Sequence, residues 1–588
     1  LSDVQKEAVP VDVDKQVELR VDNPAALDTA VADLAAHKQE WAQLSAAEKR
    51  AFIEPMRTGT RRVAEAWAMA GAHAKRLPSD SPLIGEEWMS GPWGLLYGLN
   101  ALNDSLEALE RGKSPRLRKV RERDNGQVVV EVYPAHLFDS LLLSGISAEV
   151  WMQPGVTRET LTDTMALHYK SESPEGAVAL VLGAGNISSI APLDVLYKLL
   201  VEGHVVVLKT HPVMDYLTPF LEEVFGELID RGFVRIFSGG IEVGSYFAEH
   251  PEVDEIHLTG SWKTHDAIVF GAGEEGKARK RRGERLNHRR VTAELGCVTP
   301  TIVLPGPWSE ADIRYQAEHI ATQKSYNAGF NCVAAQALIL PKEWSQASQL
   351  VEAVQEIYQA IEPRYAYYPG AEDRRRAAEL GHDQVDRLGD SSEERILIAD
   401  LDPQQVNDTC FQTEIFAEAL ATISLPGETP EAFLSEAVRF SNEVLWGTLG
   451  ANIIAHPKTI KALGPALEQA IADLRYGSVG INLWVGGAYL LSQATWGAYP
   501  GHTHEDIQSG VGVVHNSLMF SQPEKSVLRG PFYPFPRNLL HGEFHNSPKP
   551  PWFVTHKRAA ELGRKLVDYE ANRGLRHLPG LFIAALRG

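Results

Sequence analysis

At 588 residues, 44% of them hydrophobic and 23% charged, the chain has the composition of a soluble globular protein, long enough to bury a large core spread over two or three domains. Its formal net charge of −20 excludes a surface built throughout to neutralise phosphates, so no nucleic acid partner is expected, although a local basic site stays compatible with that balance. Three cysteines, Cys297, Cys332 and Cys410, exclude a disulfide framework and point to a reducing compartment in which each is judged as a thiol.

The first fifteen residues are acidic and lack the apolar core of a signal peptide. No apolar run reaches the roughly 18 residues that span a bilayer, so a cytoplasmic location without a membrane span is expected. From about Leu27 to Ala72 the apolar spacing is helical, with Ser45 and Glu48 in a capping-box pattern, which predicts two or three opening helices. A basic linker from Lys113 to Arg123 precedes the β-branched run Gln127 to Tyr133, an extended or edge segment. From Gly176 onward, short apolar strands at Ala177 to Leu182, Val205 to Leu208, Val234 to Phe237 and Glu255 to Leu258 alternate with amphipathic helices. One helix carries Leu217, Phe220, Leu221, Val224, Phe225 and Leu228 on a single face.

A second alternation follows the basic stretch Lys277 to Arg290, with strands near Thr301 to Leu304, Ala337 to Leu340, Ala451 to Ala455 and Ser478 to Asn482. The fold class expected is therefore α/β, with two doubly wound, Rossmann-like domains meeting near Arg290. From Ser517 the chain is rich in Pro, aromatic residues and His before a helix near Ala559 to Ala571, a composition suited to wrapping over its own core or another subunit.

Cys332 lies in a Gly-containing loop just before an apolar strand, where an α/β protein exposes reactive groups. Alone it reads as a small core residue. As a nucleophile its thiol, with an ordinary pKa of about 8.5, would need a local positive potential. Upstream, Glu294 is a carboxylate in the apolar run Val291 to Pro300, read either as a structural acid or as a base raised by desolvation. Glu414 and Phe416 pair an acid with an aromatic side chain. Gly183 and Gly185 follow a strand, but Ser188 replaces the third glycine of a full dinucleotide motif. Asn186 next to them either caps the following helix or donates its amide to an oxyanion. Lys209 ends a strand at the carboxyl edge of the sheet, and Thr259, Gly260 and Ser261 end another, with donors suited to a pyrophosphate.

In this order and at these intervals, together with Gly480 to Asn482 and Ser509 to Gly512, the segments resemble the aldehyde dehydrogenase superfamily over roughly residues 25 to 516. The resemblance implies the aldehyde dehydrogenase fold, a small β oligomerisation element and a homodimer or homotetramer. It divides the chain into N-terminal helices of a cofactor domain (residues 1–125), an extended oligomerisation segment (126–170), a Rossmann-like cofactor core (171–290), a catalytic domain (291–485) and a return to the cofactor and oligomerisation region with a C-terminal extension (486–588). It also implies a reaction. Cys332 attacks an aldehyde, Asn186 and the Cys332 N–H hold the oxyanion, hydride passes to NAD or NADP, and water activated by Glu294 hydrolyses the thioester to an acid. Lys209 and Glu414 would hold the two riboses, Thr259, Gly260 and Ser261 the pyrophosphate, and Phe416 the nicotinamide; no metal is assigned.

The sequence departs from the family pattern in four places. Phe330 stands where Gln is usual and suggests an aromatic wall near the aldehyde. Cys297 and Val298 replace Gly-Lys, Cys297 reading as a packed residue or a redox partner. His265 replaces a glycine after the Thr-Gly-Ser. Pro212 stands where NAD-preferring relatives often place an acid, so NADP should be tolerated. The basic run from Lys277 to Arg290 reads as a solvated loop or intersubunit contact, with a phosphate-binding role as the sharper alternative. Two rival readings are a coenzyme A-acylating dehydrogenase or acyl reductase, against which Glu294 speaks, and a catalytically silent scaffold.

Overall fold

Two large sheets organise the computed structural model, which describes residues 23–389 and 395–588; the acidic stretch before residue 23 lies outside them. The smaller sheet has six strands in the order Gly510–Val511, Arg290–Leu295, Glu255–Gly260, Val178–Leu182, Val205–Lys209 and Val234–Phe237. All run parallel except Gly510–Val511. Val178–Leu182 and Val205–Lys209 are buried at every position, the pattern of strands covered by helices on both faces. Because Val178–Leu182 is flanked by the strand that follows it on one side and by Glu255–Gly260 on the other, the strand order reverses there and a crevice opens at its carboxyl end.

The larger sheet has eleven strands. Its centre is parallel, running Pro523–Arg529, Ser478–Ile481, Gly450–Ile454, Thr299–Val303, Ala335–Pro341, Ala419–Leu425 and Arg395–Ile398. Val385–Leu388 closes one side in antiparallel sense, and Ser147–Met152, Val128–Tyr133 and Lys119–Glu122 extend the other. The expected α/β class with two doubly wound sheets is thus found. The basic linker differs: its second half, Lys119–Glu122, is an edge strand whose Arg121 makes a bidentate pair with Glu149 at 2.8 and 2.9 Å. An edge tolerates such charges because its outer side faces water.

Local signals formed as the spacing required. Ser45 accepts from the Glu48 N–H at 3.3 Å while the Glu48 carboxylate accepts from the Ser45 N–H at 2.8 Å, the reciprocal box that starts Ala46–Ala51. The basic run expected as a loop is instead partly the helix Gly273–Arg282, with Glu274 and Glu275 in its first turn and Arg279 to Arg282 in its last, which suits the helix dipole. Beyond it Arg289 donates to the carbonyls of Val253 at 2.7 Å and His250 at 2.8 Å, and Arg290 pairs with Glu202 and Glu255. These cations are committed to the protein itself. Among the described residues no helix is long and apolar enough to cross a membrane.

The C-terminal segment wraps over its own chain. Helix Ala559–Asn572 presses against Ile84–Trp88 so closely that a Cβ on Gly563 would lie 2.6 Å from Trp88 Cβ, and Asn100 donates to the Glu570 carboxylate at 2.8 Å. The strand Pro523–Arg529 joins the two parts of the large sheet, and from it the buried Lys525 donates to the carbonyls of Ile471, Ala472 and Leu474 at 3.0, 2.9 and 2.5 Å. These are final carbonyls of the helix Pro465–Asp473 and its cap, which would otherwise be orphaned. Lys525→Met should therefore cost about 3 kcal/mol by leaving buried acceptors unpaired. A lowered urea midpoint with an unchanged far-ultraviolet circular dichroism spectrum would check it.

Candidate active site

The loop that carries Cys332 leaves the helix Glu310–Ser325 through a backbone that L-residues disfavour. Asn327 and Ala328 adopt left-handed φ values of 56° and 55°, followed by Gly329 at 76°. Only glycine fits the last position, since a Cβ there would stand 2.8 Å from the Ala417 carbonyl carbon. A buried polar network holds the turn. The Asn327 N–H donates to Glu86 at 3.0 Å, and its side-chain amide donates to the carbonyls of Asn186 and Phe330, both at 3.0 Å. Lys75 donates to Asn327 Oδ1 at 2.8 Å and to Glu87 at 2.7 Å, while Arg364 donates to both oxygens of Glu86 at 3.0 and 2.7 Å. Sequence reasoning missed Lys75, Glu86, Glu87 and Arg364, which lie far from the loop in the chain.

Cys332 opens onto a small cavity walled by Trp93, Ile187, Trp484, Tyr489 and Trp496. Glu294, only 3% exposed near the end of its strand, brings its carboxyl against the Cys332 thiol, and its Oε1 has no hydrogen-bond partner among the described residues. Burial, then the charge of Asp194, pushes the Glu294 carboxyl up to about 8. Burial also drives the Cys332 thiol well above the ordinary thiol range, with the charges of Glu294 and Glu414 adding to it. Among the protein's own groups, acids surround the thiol, and their charge and its burial favour the protonated form.

Asn186 is placed against the same loop, its side-chain amide donating to the Phe330 carbonyl at 3.1 Å. The backbone N–H of Cys332 makes no hydrogen bond among the described residues, which leaves it free for an oxygen anion. Cys297 lies behind the nucleophile, its N–H donating to the Cys332 carbonyl at 3.3 Å, and burial pushes its thiol up to about 12. That favours packing over redox chemistry. Phe330 is corrected as well. It does not line the cavity but packs beneath the loop against Tyr367, Tyr368 and Phe416, with ring centroids 4.9, 5.6 and 5.5 Å away. The aromatic wall comes from the tryptophans instead.

Glu414 reaches the back of the nucleophile, against the Gly296 backbone, where burial pushes it up to about 8 while Arg374 and Lys324 pull it down. Phe416 belongs to the Phe330 cluster. On the crevice side, Lys209 ends its strand with an ammonium that makes no hydrogen bond or ion pair among the described residues, its pKa lowered by burial. His211 folds over Gly185 and stacks on Tyr368 at 5.5 Å. Gly260 and Ser261 are exposed, and Ser261 accepts from the Thr264 N–H at 3.3 Å to cap the helix Trp262–Phe270. Thr259 is turned away from them: its hydroxyl donates to the buried Asp194 at 2.8 Å, so it does not face a ligand in the crevice. His265 is also turned inward, 3.0 Å from His504. Asp194, a lone acid on the apolar helix Ile190–Leu196, is the residue whose sequence signal went unread.

Residues 106–369 match the model of the aldehyde dehydrogenase family. A stretch of 236 residues is 25% identical to the mouse (Mus musculus) aldehyde dehydrogenase named dimeric NADP-preferring, covering 40% of this chain and 46% of that protein. A stretch of 177 residues is 27% identical to the D-glyceraldehyde dehydrogenase (NADP(+)) of Picrophilus torridus, covering 30% of this chain and 32% of that one. The chain thus spans less than half the length of the curated relatives it matches. Among solved structures, an indole-3-acetaldehyde dehydrogenase in complex with NAD+ aligns over 86% of this chain and 89% of its own with a TM-score of 0.58 at 19% identity. The NADP-dependent glyceraldehyde-3-phosphate dehydrogenase of Bacillus halodurans C-125 aligns over 86% and 91% with a TM-score of 0.56 at 17% identity. At such identity the likeness concerns the fold.

A raised folded-state pKa sets the sign of a stability effect. Glu294 is favoured as the neutral acid in the fold, so its contribution is fully present below the ordinary carboxyl pKa and is lost as pH rises through about 8. Glu294→Gln should match the wild type in thermal midpoint near pH 5 and exceed it by about 2 °C or more near pH 9. Paired thermal scans across that range check it.

Proposed function

We propose, from the match of residues 106–369 to the aldehyde dehydrogenase family model, that the chain is a member of that superfamily and oxidises an aldehyde to a carboxylic acid through Cys332, with NAD or NADP as cofactor. One observation carries the reading: the Cys332 thiol, at the wall of an apolar cavity, meets the buried carboxyl of Glu294, and the Asn186 amide lies against the same loop, whose Cys332 N–H is free among the described residues.

The crevice of the smaller sheet fits a dinucleotide. Lys209 offers an unpaired ammonium to ribose hydroxyls, and the exposed Gly260 and Ser261 stand at the start of a nine-residue helix whose N-terminal N–H groups favour a pyrophosphate. Glu414 is the acid available toward the nucleophile side, and Phe416 lies beyond it. When bound, the nicotinamide supplies the acceptor for the aldehyde hydrogen as hydride.

The chain's own groups perform the remaining steps. Glu294, ionised, takes the Cys332 proton as the sulfur bonds to the aldehyde carbon, and the carbonyl oxygen becomes an anion facing the Asn186 amide and the Cys332 N–H. Apolar walls exclude bulk water from this stage, which strengthens both hydrogen bonds. Loss of hydride leaves a thioester on Cys332. Glu294 returns its proton to solvent, then removes one from a water that attacks the thioester carbon. The carbon–sulfur bond breaks, the acid departs and the thiol is regenerated. This is hydrolysis, and it needs no coenzyme A.

An aldehyde panel followed at the reduced-cofactor absorbance, with NAD and NADP in parallel and no coenzyme A, should give reduced cofactor and carboxylic acid in equal amounts. Cys332→Ser should lower the rate about a thousandfold or more, as removal of a covalent nucleophile does elsewhere. Activity that survives in that variant would overturn the mechanism.

A second expectation concerns pH. Because Glu294 must be ionised to act, the rate should rise with pH through about 8. Asp194 holds that value up by its charge, so Asp194→Asn should move the rising limb to lower pH. A pH–rate profile that does not move would remove Asp194 from the account.

A further inference from the structure

Away from Cys332, two groups of three side chains among the described residues bring metal-binding atoms within 4.8 Å of one another. One, formed by Glu202, His204 and Glu255, is already filled by cations of the protein itself. Lys198 reaches Glu202 at 2.5 Å and Glu255 at 2.9 Å, and Arg290 pairs with the same two acids at 2.7 and 2.6 Å. The other differs in kind: His382, Asp408 and Cys410 bring a ring nitrogen, a carboxylate oxygen and a thiol sulfur to one point.

The local chain explains the convergence. Helix Ala371–Glu379 ends in carbonyls without an intrahelical donor, and the chain turns back so that His382 Nδ1 meets the Ala378 carbonyl at 2.9 Å. A carbonyl only accepts, so Nδ1 carries the ring proton, and Nε2 is the atom that faces Asp408 Oδ2 at 2.8 Å. In the neutral ring Nε2 is a lone pair, and a lone pair against a carboxylate needs a cation between them, either a proton or a metal ion. A ring proton locked on a backbone carbonyl, with the other nitrogen presented, is the arrangement of a metal-binding histidine. Asp408 caps the short helix Thr409–Gln412, its Oδ1 accepting from the Cys410 N–H at 2.7 Å, which leaves Oδ2 for the cation. Cys410 Sγ lies 3.7 Å from the same Ala378 carbonyl, so one group holds both the imidazole and the thiol.

We propose that His382 Nε2, Asp408 Oδ2 and Cys410 Sγ form a binding site for Zn²⁺, separate from the Cys332 site and independent of the reaction there, with water as the fourth ligand. Imidazole and thiolate suit zinc and not the hard ions magnesium and calcium. Zinc holds such atoms at roughly 2.0–2.3 Å, so they stand roughly 3.3–3.7 Å apart, and His382 and Asp408 need to part by only about half an ångström to admit it. Their side chains are 14% and 13% exposed, an opening for the ion and its water, while Cys410 is buried. Burial, then the charge of Asp408, drives the Cys410 thiol above its ordinary range, with Lys324 opposing them. The ion reverses this: it neutralises Asp408, a zinc–sulfur bond forms and the thiol proton leaves for solvent. Zinc then clamps helix Ala371–Glu379 to the start of the segment that leads to Glu414. Gln336 holds that segment from the other side, donating to the Cys410 and Thr413 carbonyls at 2.8 and 2.9 Å and accepting from the Ile415 N–H at 2.7 Å.

The test strips the full chain with a chelator, dialyses it against zinc and measures bound metal by inductively coupled plasma mass spectrometry. One zinc per chain should be retained, and zinc should raise the thermal midpoint of the wild type and of Cys332→Ser alike. His382→Gln and, separately, Cys410→Ser should weaken zinc binding by roughly a hundredfold or more and lose that shift. An unchanged far-ultraviolet circular dichroism spectrum reports that the variants fold, and His382→Gln, altered at a partly exposed ring, carries the test if Cys410→Ser does not fold. Cobalt(II) in place of zinc should give a thiolate-to-metal absorption band that survives Cys332→Ser and vanishes in Cys410→Ser. Zinc held equally by the wild type and His382→Gln, or a cobalt band that vanishes with Cys332→Ser instead, overturns the site. So does a stripped wild type that takes up no zinc, which leaves His382 and Asp408 as an ion pair only.

Discussion

The buried charge network beneath the Cys332 loop is the constraint on which the site depends. Two consecutive L-residues in the left-handed region cost roughly 1–3 kcal/mol each, and such a turn persists only where its surroundings determine it. Here Glu86, held by both arms of Arg364, accepts the Asn327 N–H, and Lys75 holds the Asn327 oxygen. With its oxygen fixed, the Asn327 amide has to point at the carbonyls of Asn186 and Phe330, which ties the nucleophile loop to the oxyanion donor. Burying four charged side chains is expensive, and such pairs seldom add net stability. Their value here is geometric: they bring the Cys332 loop from the large sheet and the Asn186 turn from the small one to a single place.

The same burial sets the chemistry. A thiol beside cations would be ionised and reactive toward any oxidant or electrophile that entered. Cys332 instead faces Glu294 and Glu414, and both carboxyls are pushed up to about 8 by the same apolar walls. The resting site is thus close to neutral, and the proton moves from sulfur to carboxylate only as the carbonyl carbon arrives to stabilise the charge on sulfur. Asp194 beneath the strand keeps Glu294 near neutrality without touching substrate, a role that a carboxylate can fill only where desolvation lets its charge act over distance.

What the sequence made legible is what local spacing controls. Alternating strands and helices, the Ser45 and Glu48 box, and the positions of Cys332 and Glu294 relative to their strands follow from periodicity and turn chemistry, and the α/β class follows with them. Residues 217 to 228 show where periodicity stops short: one apolar face was read as one helix, but the chain breaks at Phe225 before Gly226 into Thr218–Val224 and Gly226–Asp230. Lys119–Glu122 was hidden because its charges mark an edge and not a linker. Phe330 and Thr259 were placed by their distance in sequence from functional residues, which does not fix side-chain direction. Lys75, Glu86 and Arg364 act only through tertiary contact and carry no local signal at all.

The composition of the C-terminal segment suited wrapping, and it wraps its own chain, through Gly85, Gly563 and the Asn100–Glu570 bond. A segment added only for stability would fill the space beneath it, because an unfilled apolar cavity forfeits dispersion contacts on every wall. This one instead borders a space lined by Leu562, Leu566, Leu581, Phe582 and Ala585, whose wall shares Trp93, Leu143, Ile146, Leu483, Leu490 and Trp552 with the cavity of the nucleophile.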